Sequence, residues 1–139
     1  MAAEMLGVNF GWFFGSYEYG TNLGMKIAGV PLLIGLNWAL LTFATASISQ
    51  WVSKYKAIQI MIGSGLMLLL DIAMEYNAPR FDFWEFEHGV IPLENYISWF
   101  FLAAILQVIY HLLKLEGNVK IALHLYGSQL VFFSYFIWF

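Results

Sequence analysis

Two carboxylic acids stand one helical turn apart at the end of an otherwise apolar stretch. Asp71 and Glu75 are separated by four positions, so on an α-helix they share one face. Asp71 follows Lys56 by 15 positions, which is about 22 Å along a helix axis. An ionised carboxylate that deep in a bilayer is costly unless it is paired or hydrated, and retention of the proton avoids this cost. Asp71 is therefore predicted to act as a general acid.

A structural role for these acids remains an alternative. A carboxylate at a helix end can lie in interfacial water or pair with Arg80. This alternative is as strong as the functional one for Glu75. It is weaker for Asp71, because acids inside membranes are rare and are usually functional.

The composition indicates the medium in which these acids lie. The chain has 139 residues, of which 61% are hydrophobic and 11% charged, and its mean hydropathy is +0.71. A soluble domain is about 25% charged and cannot cover this much apolar surface in one small core. The chain is therefore predicted to be an integral membrane protein. With a net charge of −3 and no basic patch, nucleic acid is not an expected partner.

The hydrophobic segments predict an all-α fold. We expect a polytopic bundle of about four transmembrane helices, preceded by a partial helix in the first 14 residues, which are too few to span a bilayer. Residues 1–139 are expected to form a single transmembrane domain. The predicted membrane helices cover residues 30–50, 57–76, 94–113 and 119–139.

The loop charges predict an orientation. Lysines dominate the two loops at one end of the bundle, whereas acids dominate the segments at the other end. By the positive-inside rule the lysine loops lie in the cytoplasm. The expected location is the cytoplasmic membrane of a prokaryote, crossed several times.

Aromatic and acidic residues alternate between Phe81 and Glu87, a stretch that includes Phe83 and Trp84. An interfacial belt segment has this pattern, since aromatic rings favour the depth of the lipid headgroups. A segment that covers a site and turns its aromatic faces toward an apolar or cationic species has the same pattern. Both interpretations stay open.

Three other polar residues, Glu94, Asn95 and Asn37, have structural explanations as well as functional ones. Glu94 and Asn95 open the third membrane helix, where an acid caps a helix favourably. Asn37, next to Trp38, lies inside the first one, where a lone Asn usually joins helices. No HExxH motif or cysteine occurs, so neither a zinc site nor a thiol nucleophile is predicted.

Several segments together resemble the bacterial and archaeal carotenoid biosynthesis membrane proteins that include carotenoid 1,2-hydratases of the bisanhydrobacterioruberin hydratase type. The matching stretches are residues 7–20, 29–38, 70–75 and 83–100. Each stretch is weak alone, and their order and spacing make the combination specific. Members of this family tend to be longer at the N-terminus, so the chain is expected to be truncated relative to them.

The resemblance implies the addition of water across the terminal double bond of an acyclic carotenoid end group, without a cofactor. It places the family's acids at Asp71 and Glu75. Protonation of such an alkene leaves a tertiary carbocation, so the reaction needs a buried acid, aromatic faces and a base that activates water. We assign Asp71 as proton donor and Glu75 as base. Further candidates for substrate binding are Phe83, Trp84 and Trp99 around the end group, Glu94 or Asn95 to hold water, and Asn37 with Trp38.

In two alternative interpretations the acids have no catalytic role. In the first, the chain is a membrane subunit that binds carotenoid or lipid for other enzymes of the pathway. In the second, it forms an ion or proton pathway. The first strong helix contains no charged residue, which argues against a continuous relay. The expected partners are a carotenoid, the bilayer and other membrane enzymes of carotenoid synthesis.

Overall fold

The computed structural model describes residues 1–138, and of His88 it describes the backbone alone. Within residues 1–138 the chain forms five α-helices and four short strands. The helices are α1 (Ala2–Phe10), α2 (Leu32–Val52), α3 (Lys56–Asn77), α4 (Leu93–Leu112) and α5 (Val119–Trp138). The strands are β1 (Tyr17–Tyr19), β2 (Lys26–Ile27), β3 (Val30–Pro31) and β4 (Trp84–Phe86).

Four helices in this part of the chain, α2 to α5, are long and apolar enough to cross a membrane. The prediction of an all-α membrane bundle with a partial N-terminal helix is confirmed. The first membrane helix begins two residues later than predicted, because Val30 and Pro31 pair with β2 as a strand. The last predicted helix included Phe139, which lies outside the described residues.

Two of the membrane helices begin directly after a proline. Pro31 precedes α2 and Pro92 precedes α4, both in extended conformation. Proline lacks the N–H group that would be unsatisfied at a helix start, so it marks this boundary at low cost. Both boundaries lie at the end of the bundle that carries the acidic segments.

The α2–α3 hairpin lies at the centre of the bundle. Both of its helices contact α4 on one side and α5 on the other. Between α3 and α4 the close approach depends on Gly63, whose missing side chain makes room for the fully buried amide of Gln107. That amide donates a hydrogen bond to the Thr45 hydroxyl on α2, with 2.8 Å between the two atoms.

A cap of short elements covers the acidic end of the bundle. Strand β1 pairs antiparallel with β4, with Glu18 opposite Glu85. Because successive side chains in a strand point to opposite faces, Trp84 and Phe86 are buried while Glu85 is exposed. The middle of the alternating segment is therefore a strand whose two aromatic side chains face inward.

Helix α1 joins this cap. It ends at Gly11, which adopts a left-handed conformation with φ of 67° that glycine tolerates. The Asn9 side-chain amide donates a hydrogen bond to the carbonyl oxygen of Ala28 at 3.0 Å. The Ser98 hydroxyl donates a hydrogen bond to the carbonyl oxygen of Phe13 at 2.5 Å. The first bond joins α1 to the turn between β2 and β3, and the second holds the N-terminal segment against the first turns of α4.

Candidate functional site

Asp71 and Glu75 lie on the inner face of α3, beneath the cap. Each side chain is only 4% exposed. The Asn95 amide at the start of α4 donates a hydrogen bond to Glu75 Oε1, and the Tyr96 hydroxyl lies beside the same carboxyl group. The acid pair thus has an asymmetric environment, with polar donors gathered at Glu75.

A third acid, Glu4 of α1, is 1% exposed and lies beside this pair. Its Oε2 atom accepts hydrogen bonds from the hydroxyls of Tyr17 at 2.5 Å and Tyr19 at 2.7 Å. Burial raises the pKa of Glu4, and the two hydrogen bonds partly oppose that rise. Burial and the neighbouring Glu4 also raise the pKa of both tyrosines, so these hydroxyls keep their protons and act as donors.

The three acids line one small cavity, here called the acid cavity, with a volume of about 20 Å³. Its other lining residues are Tyr17, Tyr19, Ile34, Trp38, Met74, Trp84, Phe86, Asn95 and Trp99. Among the described residues, Glu4 Oε1, Asp71 Oδ2 and Glu75 Oε2 are buried oxygens without a hydrogen-bond partner. A water molecule needs roughly 10–15 Å³ and two to four polar partners, so the acid cavity has the size and the polar groups for one.

Aromatic rings form much of the remaining wall of the acid cavity. The Trp38 and Trp99 rings stack with their centroids 4.1 Å apart, and Phe14 stacks on the other face of Trp99 at 4.7 Å. In the cap, Tyr19 packs edge-on against Trp84. Carboxyl groups and electron-rich rings therefore line the same small, largely buried space.

A larger apolar groove of about 470 Å³ lies between α2, α3 and α5. It is lined by Leu23, Leu33, Ile34, Leu36, Asn37, Leu40, Met74, Phe83, Ser128, Gln129, Phe132 and Phe133. Ile34 and Met74 line both this apolar groove and the acid cavity. The two spaces are thus separated by a wall that includes these two side chains.

The residues predicted from the sequence fall into three groups. Asp71, Glu75, Trp38, Trp84, Trp99 and Asn95 line the acid cavity. Phe83 and Asn37 line the apolar groove, where the Asn37 side chain accepts a hydrogen bond from Gln129 at 3.2 Å. Glu94 is exposed at the start of α4 and lines neither space. Of the two residues proposed to hold water, Asn95 is therefore the one beside the acid pair.

Sequence reasoning missed Glu4, Tyr17 and Tyr19. One signal was available, because Glu4 is the sole charged residue among the first 14, and an acid in an apolar segment is unusual. The two tyrosines alternate around Glu18, which is typical of a strand with one buried face. Nothing local predicts that this strand faces α3.

Among the side chains that the structure describes, no group of three or more His, Cys, Asp or Glu residues is arranged to hold a metal ion.

Comparison with known proteins gives one family. A family model described as carotenoid biosynthesis protein matches residues 1–139. Neither the comparison with curated proteins nor the comparison with solved structures gave a match.

Proposed function

The chain belongs to the carotenoid biosynthesis protein family, and from that premise we propose that it adds water across the terminal double bond of an acyclic carotenoid. The observation that carries this proposal is the acid cavity, in which buried carboxyl groups face stacked aromatic rings beside an apolar groove. Such a site unites the three requirements of alkene hydration, namely an acid, a cation-tolerant wall and an apolar approach.

Asp71 is the proton donor in this proposal. Asp71 and Glu75 each keep one buried oxygen, Oδ2 and Oε2, without a partner among the described residues. Glu75 also receives a hydrogen bond from Asn95 and lies beside Tyr96. Hydrogen-bond donors stabilise a carboxylate, and their absence favours the neutral acid. This asymmetry supports Asp71 as the protonated acid and Glu75 as the base in the proposed reaction.

The first step transfers the Asp71 proton to the alkene carbon that bears one hydrogen. The π electron pair forms the new C–H bond, and the neighbouring carbon, which bears two methyl groups, becomes a tertiary cation. The Trp38 ring, which stacks on Trp99 with one face, borders the space in which this charge develops. A cation over the other face of Trp38 gains about 2 kcal/mol when water is excluded.

The second step is attack by water on the cation. The new C–O bond forms as Glu75 takes a proton from the water, which leaves a tertiary alcohol. Transfer of that proton from Glu75 to Asp71, one helical turn away, restores the starting state. The overall balance is alkene plus water to alcohol, with no oxidant or reductant.

The carotenoid approaches along the apolar groove. A long apolar chain fits a site lined mainly by leucine and phenylalanine side chains. The acid cavity is too small for a branched end group unless its wall moves, and Met74 is suited to move because its side chain is unbranched and flexible. The end group thus enters past Met74, with its polyene left between α2 and α5.

The direct test uses a host that accumulates an acyclic carotenoid such as lycopene. Expression of the chain should convert the pigment to products heavier by one or two water molecules, measured by mass spectrometry. Asp71→Asn should abolish this conversion, because removal of a general acid costs roughly 10²–10⁴-fold. Glu116→Gln, in an exposed loop at the other end of the bundle, serves as the matched control.

A carotenoid-binding subunit without catalysis gives a different result. Pigment would co-purify unchanged with both the unaltered chain and Asp71→Asn. That outcome contradicts the hydratase proposal and favours a carrier role for the apolar groove.

A further inference from the structure

A second cavity, here called the polar vestibule, lies outside the acid cavity. It has a volume of about 630 Å³ and is lined by Gly7, Val8, Gly11, Ser16, Tyr17, Glu18, Glu85, Phe86, Glu87 and Gly89. Tyr17 and Phe86 line both the polar vestibule and the acid cavity. These two rings pack with centroids 5.4 Å apart, so a wall of single side chains separates the two spaces.

The Tyr17 side chain belongs to this wall, and its hydroxyl has contacts on both sides. It donates to Glu4 Oε2 on the inner side. A methyl group placed on Gly7, which lines the polar vestibule, would lie 3.2 Å from the same hydroxyl. Glu4 keeps its other carboxyl oxygen, Oε1, buried and without a partner among the described residues. A hydrophilic path of Tyr17 and Glu4 thus leads from the polar vestibule to the acid pair.

We infer that Glu4 and Tyr17 form a water gate, through which the water consumed in the reaction enters from the polar vestibule while the carotenoid enters from the apolar groove. This inference rests on the proposed hydration. The two entrances lie at different walls of the acid cavity: Ile34 and Met74 separate it from the apolar groove, and Tyr17 and Phe86 separate it from the polar vestibule. The arrangement lets an apolar and a polar reactant meet without sharing a path.

Glu4 is suited to pass on a water molecule. An unpartnered buried carboxyl oxygen accepts a hydrogen bond from any water that comes within reach, because leaving it unsatisfied is costly. With Asp71 and Glu75 it offers three such oxygens around a cavity for one water. Glu4 is therefore a positioning residue for the nucleophile, and proton transfer to the alkene remains with Asp71.

The test measures how the carbocation is partitioned. In heavy water, each protonation event delivers deuterium to the alkene carbon. The cation then either captures water to give alcohol or loses a proton to return deuterated alkene. A slower supply of water raises the ratio of deuterated alkene to alcohol. General damage to the site instead lowers the yields of both products together.

Glu4→Leu and Tyr17→Phe are the two gate variants. Each should raise the ratio of deuterated alkene to alcohol roughly tenfold, the effect of one lost hydrogen bond in a buried polar site. The carotenoid concentration at half-maximal rate should stay unchanged. Tyr55→Phe, an exposed tyrosine at the opposite end of the bundle, is the matched control. A parallel fall of alcohol and deuterated alkene in the gate variants overturns the inference.

A second measurement needs no change in the gate itself. The chain contains no cysteine, so Ser16→Cys introduces a single thiol into the polar vestibule. In detergent–lipid micelles, attachment of a charged thiosulfonate reagent to this thiol should raise the ratio of deuterated alkene to alcohol. Attachment of the same reagent to Met25→Cys, which is exposed outside the polar vestibule, should leave the ratio unchanged. An unchanged ratio after complete labelling overturns the gate, provided that the unlabelled protein makes alcohol. Absence of both alcohol and deuterated alkene from the unaltered chain overturns the hydration proposal itself.

Discussion

The indole rings of Trp38 on α2 and Trp99 on α4 stack with their planes only 9° apart. Their contact joins two helices that begin at the same end of the bundle, each after a proline. Phe14 extends the stack from the N-terminal segment. The aromatic stack beside the acid cavity is thus built from three separate parts of the chain, and its geometry depends on the packing of all of them.

Replacement of Trp99 should slow the chemical step. Trp99→Leu removes the ring that holds Trp38 in its stack, so the Trp38 face beside the acids is no longer fixed. The hydration rate should fall about thirtyfold, the equivalent of a desolvated cation–π interaction of about 2 kcal/mol. Trp99→Phe should retain more activity, because a smaller ring remains for Trp38 to stack on. Rates are measured per folded protein. The prediction fails if Trp99→Leu behaves like Trp51→Leu, in which an exposed ring near the end of α2 is lost.

The Met74 side chain should control entry of the carotenoid end group. Met74→Phe places a stiffer and bulkier side chain between the apolar groove and the acid cavity, so the concentration of carotenoid needed for half-maximal rate should rise several-fold. Kinetics at varied carotenoid content of the membrane measure this. Met61→Phe, at an exposed site on the same helix, is the control, and equal kinetics for the two variants would contradict the entry path.

Gly63 should be essential for packing of α3 against α4. A methyl group there would lie 2.5 Å from the Gln107 side chain, so Gly63→Ala should destabilise the bundle by about 1–3 kcal/mol. Gly65→Ala is the matched control, since no atom lies within 4 Å of its added methyl group and alanine favours a helix. Unfolding in detergent micelles compares them, and equal stabilities would refute the packing argument.

The stability contributed by the hydrogen bonds between Thr21 and Asp82 should depend on pH. The Thr21 hydroxyl and its backbone N–H donate to Asp82 at 2.6 and 2.8 Å, and these bonds lower the pKa of Asp82. A lowered folded-state pKa adds stability above the ordinary aspartate pKa of about 4, and this stability is lost as the pH falls through the folded-state value. Thr21→Val should therefore lower the thermal midpoint at pH 7 and have less effect at pH 3. If Thr21→Val lowers the thermal midpoint equally at pH 7 and pH 3, the effect does not come from the hydrogen bonds to ionised Asp82.

The sequence predicts the membrane helices and the acid pair well, for local reasons. Long uncharged windows identify spans without knowledge of the neighbours, and a spacing of four residues places Asp71 and Glu75 on one face wherever the helix packs. The contact of Glu4 with Tyr17 and Tyr19 depends instead on how α1, β1 and α3 meet. Pairing between strands so far apart in the chain leaves no local pattern, so the sequence could single out Glu4 as an unusual acid but could not place it beside Asp71 and Glu75.

The segment with alternating aromatic and acidic residues illustrates the same limit. Its period of two predicts one buried face, and Trp84 is buried while Glu85 is exposed. Whether that face meets lipid or a site depends on the partner strand β1, which brings Tyr19 against Trp84. The sequence therefore left two interpretations open, and the structure places the aromatic face over the acid cavity.

The origin of the oxygen atom in the product tests the central claim most directly. The purified chain is incubated with an acyclic carotenoid in water labelled with heavy oxygen, under unlabelled air, and the product is analysed by mass spectrometry. Hydration predicts a tertiary alcohol that carries the heavy isotope in every newly formed hydroxyl group, and loss of this product in Asp71→Asn. A hydroxylated product without the heavy isotope, or no oxygenated product from the folded and pigment-loaded protein, would contradict the account.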